Sequence, residues 1–233
     1  EGREHNWPAW SICVGITGIF LLVYFYKSQK RRINKNKNVL IDVRLFKQQD
    51  FNLGLIAVLF HFMFHTAYIL MSAVYLQNGL GLSALDCGLY FTPHALLFML
   101  SSLIASKLVV RFRKKVLLFG LLVILVSFYL QINISSDKPN LCYIIFLIGM
   151  YGFGNGLVLP FLLNIVLDST SQNDAGVSSG IFSTFQQVAS ALGISIIGGI
   201  FYDTIKRDDV SEYKYAFDSG LIASIVCLLI VAL

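Results

Sequence analysis

The chain has 233 residues, of which 56% are hydrophobic and only 13% charged, and its mean hydropathy is +0.71. That balance excludes a soluble domain of this size and indicates an integral membrane protein. The net charge of +5 does not signal a nucleic-acid partner, because the basic residues lie in short connectors between apolar spans and act there as topology signals. Cys13, Cys87, Cys142 and Cys227 show neither a CxxC pair nor metal-ligand spacing, so no cofactor follows from them.

In chain order, a polar lead at 1–6 precedes a first apolar span at 7–26. Trp7 and Trp10 mark one end of it and Tyr24 and Tyr26 the other, the placement that membrane interfaces favour. The connector 27–47 is the longest and most basic. A second span, 51–76, runs into a Gly-rich turn at 77–83, and the third, 88–110, ends in Arg111, Phe112, Arg113, Lys114 and Lys115. The fourth covers 116–134 and the fifth 141–167. The sixth, 175–202, has 28 residues without a charge; as a helix it is about 42 Å long against a hydrocarbon core of about 30 Å. After a mixed-charge loop at 203–218, a seventh span starts at 219 and has 15 residues, short of the ~20 that a crossing needs. With no Met at position 1 and this short last span, both ends read as truncated. The expectation is an all-α integral membrane protein with seven transmembrane helices, and no enzyme. Alternating the connectors across the bilayer puts 13 of the 18 Lys and Arg residues on one side. That side is then cytoplasmic, and the chain is multi-pass in the cytoplasmic (inner) membrane.

Three spans carry the candidate chemistry. On the second, His61 and His65 are four apart and share a face that Gly54, Tyr68, Ser72 and Tyr75 continue. An ionisable residue at mid-membrane is a functional hypothesis by default, and an imidazole changes charge near neutral pH. Proton coupling or substrate contact is one reading; a neutral pair hydrogen-bonded to neighbouring helices is the other. On the fifth, Gly149, Gly152, Gly156, Pro160 and Asn164 form a stripe at spacings of three and four. The glycines read as close helix packing and Pro160 as a kink, while Asn155 and Asn164 suit either a cavity or the seam. On the sixth, Gly176, Gly180, Ser183, Gln187, Ala191 and Gly198 form a small, polar face, and Ile181, Phe185, Val188, Leu192 and Ile196 a bulky one. The first is expected to line a cavity and a helix seam, with Gln186 and Gln187 as polar contacts, and the second to face lipid.

The sixth span also carries a resemblance. Small residues, then Phe185-Gln186-Gln187-Val188, then Ser190-Ala191-Leu192-Gly193 is similar to the penultimate helix of the fourteen-helix drug:proton antiporters of the major facilitator superfamily. Glu1-Gly2-Arg3-Glu4 with Trp7 resembles the external lead into the second of that family's two linker helices. Asp42-Val43-Arg44-Leu45-Phe46 resembles the amphipathic segment before the C-terminal six-helix bundle. Leu76-Gln77, Gly79 to Ser83 and Gly88-Leu89 resemble the loop after that bundle's first helix, and Gly152, Gly154, Gly156 and Pro160 its fourth helix. These matches occur in order over nearly the whole chain. The resemblance implies a linker helix and basic connector at 1–50 and the C-terminal six-helix bundle at 51–233, its last helix truncated. It further implies a proton-coupled exporter of small hydrophobic or cationic compounds working by alternating access, whose partners are the lipid bilayer, protons and a missing N-terminal half. The family's cytoplasmic motif Gly-x-x-x-Asp-Arg-x-Gly-Arg-Lys aligns with 106–115. Arg111, Lys114 and Lys115 fit, but Ser106, Val110 and Arg113 depart, so the cluster reads as a topology anchor rather than a latch.

Two other readings stay open beside the exporter. One is a membrane-bound His-metal oxidase or desaturase-like enzyme built on His61 and His65. Only His5 and His94 could add to that pair, fewer ligands than such sites use, so no metal is expected. The other is a truncated membrane protein that does not transport. No phosphate loop, nucleophile elbow or paired carboxylate at useful depth is present.

Overall fold

A computed structural model describes residues 9–34, 46–112, 114–134, 140–168, 175–205 and 210–232. The polar lead, most of the basic connector, Arg113 and the loops at 169–174 and 206–209 lie outside the described residues, and with them the resemblances at Glu1–Glu4, Trp7 and Asp42–Leu45. Among the described residues the elements are helices: α1 (Ala9–Asn34), α2 (Gln49–Val74), α3 (Ala84–Phe112), α4 (Lys114–Ile132), α5 (Leu141–Asp168), α6 (Ala175–Thr204) and α7 (Val210–Ala232). Six of them, α2 to α7, are long and apolar enough to cross a membrane. The apolar part of α1, Cys13–Gln29, is shorter. The protein is an all-α, multi-pass membrane protein. It divides into two compact units, residues 1–49 and 50–233.

Local sequence sets the helix ends. α2 opens on Asp50 in its first turn, where a carboxylate favours the positive end of the helix dipole. It closes in a π-helical turn, Tyr75–Gly79. Gly81 then adopts a left-handed φ of 67°, which a glycine takes without steric cost, and the chain turns into α3. There the Ser83 hydroxyl accepts the Asp86 N–H at 3.1 Å and donates to the Asp86 carboxylate at 2.7 Å, a serine cap closed by an acidic residue three positions on. Asn140 caps α5 by accepting the Tyr143 N–H at 3.3 Å.

The seventh helix departs from expectation. α7 begins at Val210, inside the stretch read as a mixed-charge loop, and its 23 residues reach crossing length. The cause is an i,i+4 ion pair. Lys214 donates to Asp218 Oδ2 at 2.6 Å and to the Ile132 carbonyl at 3.1 Å. The Lys214 ammonium is therefore satisfied although the residue is only 4% exposed. Pairing lets two charges enter a helix that either alone would end.

α2 lies at the centre of the bundle. Phe51, Val58, Phe64, Ala67, Tyr68 and Met71 are fully enclosed, and its residues meet α4, α5, α6 and α7 in turn. Lipid gives membrane helices no hydrophobic reason to associate, so close packing and polar contacts hold them together. The glycines show where. A Cβ on Gly152 would fall on the His94 backbone, one on Gly156 on Ser101 Oγ and the Phe98 carbonyl, and one on Gly193 on the Met63 carbonyl. α5 thus seats on α3, and α6 on α2, at near-contact of their backbones. Of the six crossing helices, α3 and α6 are the least enclosed, with 17% and 28% of their central residues buried against 44–61% in the other four.

Candidate functional site

The His-bearing face of α2 points into the bundle. His61 is fully buried and its ring lies parallel to His65, with centroids 6.0 Å apart. α5 brings Tyr151 and Asn155 to the same place. Tyr151 Oη lies 2.7 Å from His65 Nδ1, and Asn155 Nδ2 lies 3.3 Å from the same nitrogen. Both groups are natural donors, so this geometry suits a His65 that carries its proton on Nε2 and accepts at Nδ1. α3 adds His94, stacked on Tyr151 at 5.4 Å and on His65 at 6.4 Å. Two imidazoles from two helices therefore meet at one phenol, with His61 stacked behind His65.

A second polar chain starts beside it. The Tyr68 ring packs on Tyr151 at 4.0 Å and its hydroxyl donates to Gln131 Oε1 at 3.2 Å. Gln131 Nε2 donates to Ser127 Oγ at 2.9 Å, and Ser127 donates to the Leu147 carbonyl at 2.8 Å. α2, α4 and α5 are tied by this chain at buried positions. Several enclosed atoms are left over. Among the described residues, both ring nitrogens of His61, Nδ1 of His94 and Oδ1 of Asn155 have no hydrogen-bond partner. Unsatisfied polar atoms inside a membrane bundle are costly and mark places that bind water, a proton or a ligand.

Of the residues singled out from sequence, His61, His65, Tyr68 and Asn155 come together here, with Gly152 and Gly156 setting the α3–α5 distance that admits His94. Asn164 and Pro160 lie further along α5, half-buried. Sequence reasoning weighed His94 only as an additional metal ligand, and it passed over Tyr151 and Gln131. The available signal was their depth: each is polar and lies inside an apolar span. Arg111, Lys114 and Lys115 are exposed where α3 gives way to α4, and the Arg111 guanidinium covers the Phe112 ring at 5.3 Å. No group of three or more His, Cys, Asp or Glu among the described residues has metal-binding geometry.

α6 packs by a row that cuts across the two faces read from sequence. Ser178, Ile181, Phe182, Ala189, Gly193, Ile197, Gly198 and Phe201 are buried, Ile181 from the bulky face and Gly198 from the small one. Ser183, Gln187 and Ala191 of the small face and Val188, Leu192 and Ile196 of the bulky face are exposed within this chain. Among the described residues nothing stands within 4 Å of a Cβ at Gly176 or Gly180, whereas Gly193 packs against the Met63 backbone. Gln186 is half-buried at the edge of the packed row, and the polar tie to α2 comes from Ser190, which accepts from Thr66 at 2.9 Å.

Comparison with known proteins fits this architecture. Residues 5–233 match the family model of the Major Facilitator Superfamily. The chain is 26% identical over 206 residues to the probable actinorhodin transporter of Streptomyces coelicolor, covering 87% of this chain and 36% of that protein. It is 25% identical over 202 residues to the multidrug transporter protein MdtP of Bacillus subtilis, covering 85% and 36%. It is 26% identical over 199 residues to the cephamycin export protein CmcT of Amycolatopsis lactamdurans, covering 84% and 40%. The chain thus spans well under half the length of these relatives. With transporters as its relatives, the metal-oxidase reading has no support. A family match over nearly the whole chain, onto a bundle of six crossing helices, leads to one assignment: the chain belongs to the Major Facilitator Superfamily.

Proposed function

We propose that this chain is the C-terminal portion of a proton-coupled exporter of small hydrophobic or cationic compounds, set in the cytoplasmic membrane and working by alternating access. The observation that carries the reading is the enclosed cluster of His61, His65 and His94 with Tyr151 and Asn155, which holds proton-exchanging groups and unpaired polar atoms at mid-span. The exposed polar face of α6 supports it. Ser183 and Gln187 are poor neighbours for lipid, and a water-filled cavity or a second bundle accounts for them. In this reading α3 and α6, the least enclosed of the crossing helices, meet the N-terminal half, and Arg111, Lys114 and Lys115 anchor the cytoplasmic ends. Relatives named for actinorhodin, cephamycin and multiple drugs favour small organic cargo over ions or sugars.

The test uses the full-length transporter in proteoliposomes, with the cationic dye ethidium as probe and an imposed pH gradient. The gradient is expected to drive ethidium accumulation, and His61→Gln/His65→Gln to abolish it while leaving dye binding intact. Dye movement that ignores the gradient in the unmodified protein sinks the proton-coupled reading. An unchanged gradient-driven flux in the double variant removes the two histidines from it.

A further inference from the structure

The α2 face that carries His61 and His65 continues to the far end of the helix. His61, His65, Tyr68, Ser72 and Tyr75 follow one another at steps of four, three, four and three, so they form a single file along about 21 Å of helix. Each of the five side chains can both donate and accept a hydrogen bond. A chain for proton hopping needs that property on groups that can take up one proton while releasing another.

At its outer end the file meets a small cavity lined by Ser72, Tyr75, Gln131 and Lys214, among apolar residues of α4, α5 and α7. It offers about 10 Å³ to the centre of a water molecule, room for roughly one water. Ser72 Oγ and Tyr75 Oη are enclosed there without a hydrogen-bond partner among the described residues, and a single water has the valence to join them. On the side of α7 the cavity is lined by Lys214, which is paired with Asp218. Phe217, next to Asp218, stacks on the Tyr75 ring at 5.0 Å. Ionic groups placed this far into a crossing helix are retained for a reason.

We propose that this file is a proton path inside the C-terminal bundle, from Asp218 at the outer end to the His65–Tyr151–His94 cluster at mid-span. The inference rests on the proton-coupled reading above. Asp218 takes a proton from the outer water, which loosens its pair with Lys214, and passes it to the water in the cavity. Tyr75, Ser72, Tyr68 and Tyr151 each accept one proton and release their own, so none changes charge. Tyr151, whose Oη lies 2.7 Å from His65 Nδ1, hands on the last proton; His65 becomes imidazolium, and Asp218 returns to a carboxylate paired with Lys214. One proton enters and one is held. The titratable groups that face the path are His61, Tyr68 and Tyr75 from α2, His94 from α3, Tyr151 from α5, and Lys214 and Asp218 from α7. α4 presents Gln131 and Phe128, and α6 presents Phe182. Tyr68 is held by Gln131, a positioning residue for the hop, and packs on Tyr151 at 4.0 Å, the next member of the path.

The test needs no transported compound. The full-length protein in lipid vesicles is stepped from about pH 8 to about pH 4, a range that brackets imidazole titration, and the imidazole infrared bands are followed in time. Tyr75→Phe keeps the ring and its stack on Phe217 but loses the hydroxyl. It is expected to slow protonation of the histidines by about tenfold or more, with Ser72→Ala smaller in the same direction and final band intensities unchanged. Ser224→Ala, a buried hydroxyl bonded within α7 and off the file, is expected to leave the rate alone. Equal rates in the unmodified protein and in Ser72→Ala/Tyr75→Phe overturn the path and leave the proton-coupled reading standing. Histidines that take up no proton in the unmodified protein overturn both.

Discussion

α2 and α6 read alike in sequence, and the bundle treats them in opposite ways. Each is a crossing helix with small and polar residues down one side. On α2 that side is enclosed: His61, Tyr68 and Ser72 are at most 2% exposed, and partners come from three other helices. On α6 the polar side is open, with Ser183 and Gln187 exposed and no described residue within 4 Å of a Cβ at Gly176 or Gly180. α6 turns a different row inward, where Gly193 meets the Met63 carbonyl. A polar stripe therefore announces that a helix avoids lipid on that side. It does not tell whether the cover comes from this chain or from something else.

The glycines give the sharpest way to break the comparison. Gly193→Leu places a side chain on the Met63 carbonyl, and Gly156→Leu one on Ser101 and the Phe98 carbonyl. The obstacle is backbone in both cases, so neither site can relax cheaply. Each variant is expected to lose about 3 kcal/mol or more, seen as loss of monodisperse protein in detergent size-exclusion chromatography. Gly180→Leu is expected to run like the unmodified chain. If Gly180→Leu also collapses the isolated chain, α6 is not open on that side, and the contrast fails.

A smaller effect probes the enclosed side. Gln131→Leu removes the link between Tyr68 and Ser127 while keeping an apolar side chain in the space. Polar contacts between membrane helices are worth about 0.6–2 kcal/mol. A drop of that order is expected in reversible unfolding by a denaturing detergent. No change would mean that the α2–α4–α5 tie contributes nothing to the fold, and that the enclosure of α2 is a matter of shape alone.

Much of the fold was legible because the membrane simplifies it: apolar runs near crossing length, separated by charged connectors, leave little choice of element. The end of the chain was misread for a local reason. Lys214 and Asp218 look like loop residues until their four-residue spacing is recognised as a pair that can enter a helix. The site was half legible. His61 and His65 stand out by type and share one helix face. His94 and Tyr151 join them only because Gly152 lets α5 approach the α3 backbone at His94, and that contact has no signature along the sequence. The inward face of α6 was illegible for a related reason. Helical spacing yields several rows of small residues, and the choice between them is made by the surface of α2.

The smallest effect on the fold, and the most informative for function, belongs to Gln187. Its amide is exposed on α6, so Gln187→Leu breaks no contact within the bundle among the described residues and is expected to leave detergent unfolding of this chain unchanged within about 0.5 kcal/mol, the usual range for surface sites. In the reading proposed above, the same position of the full-length transporter faces either the cavity or the second bundle. If it meets cargo, exchanging an amide for an apolar group changes the preference between cationic and neutral compounds, while the amount of protein in the membrane stays constant. Efflux of ethidium against efflux of a neutral dye, compared in the same cells, reads that preference directly. An unaltered ratio, together with unaltered expression, would return Gln187 to the lipid side. Phe185→Ala, half-buried two residues away on the other side of the same helix, serves as the control and is expected to leave the ratio unmoved.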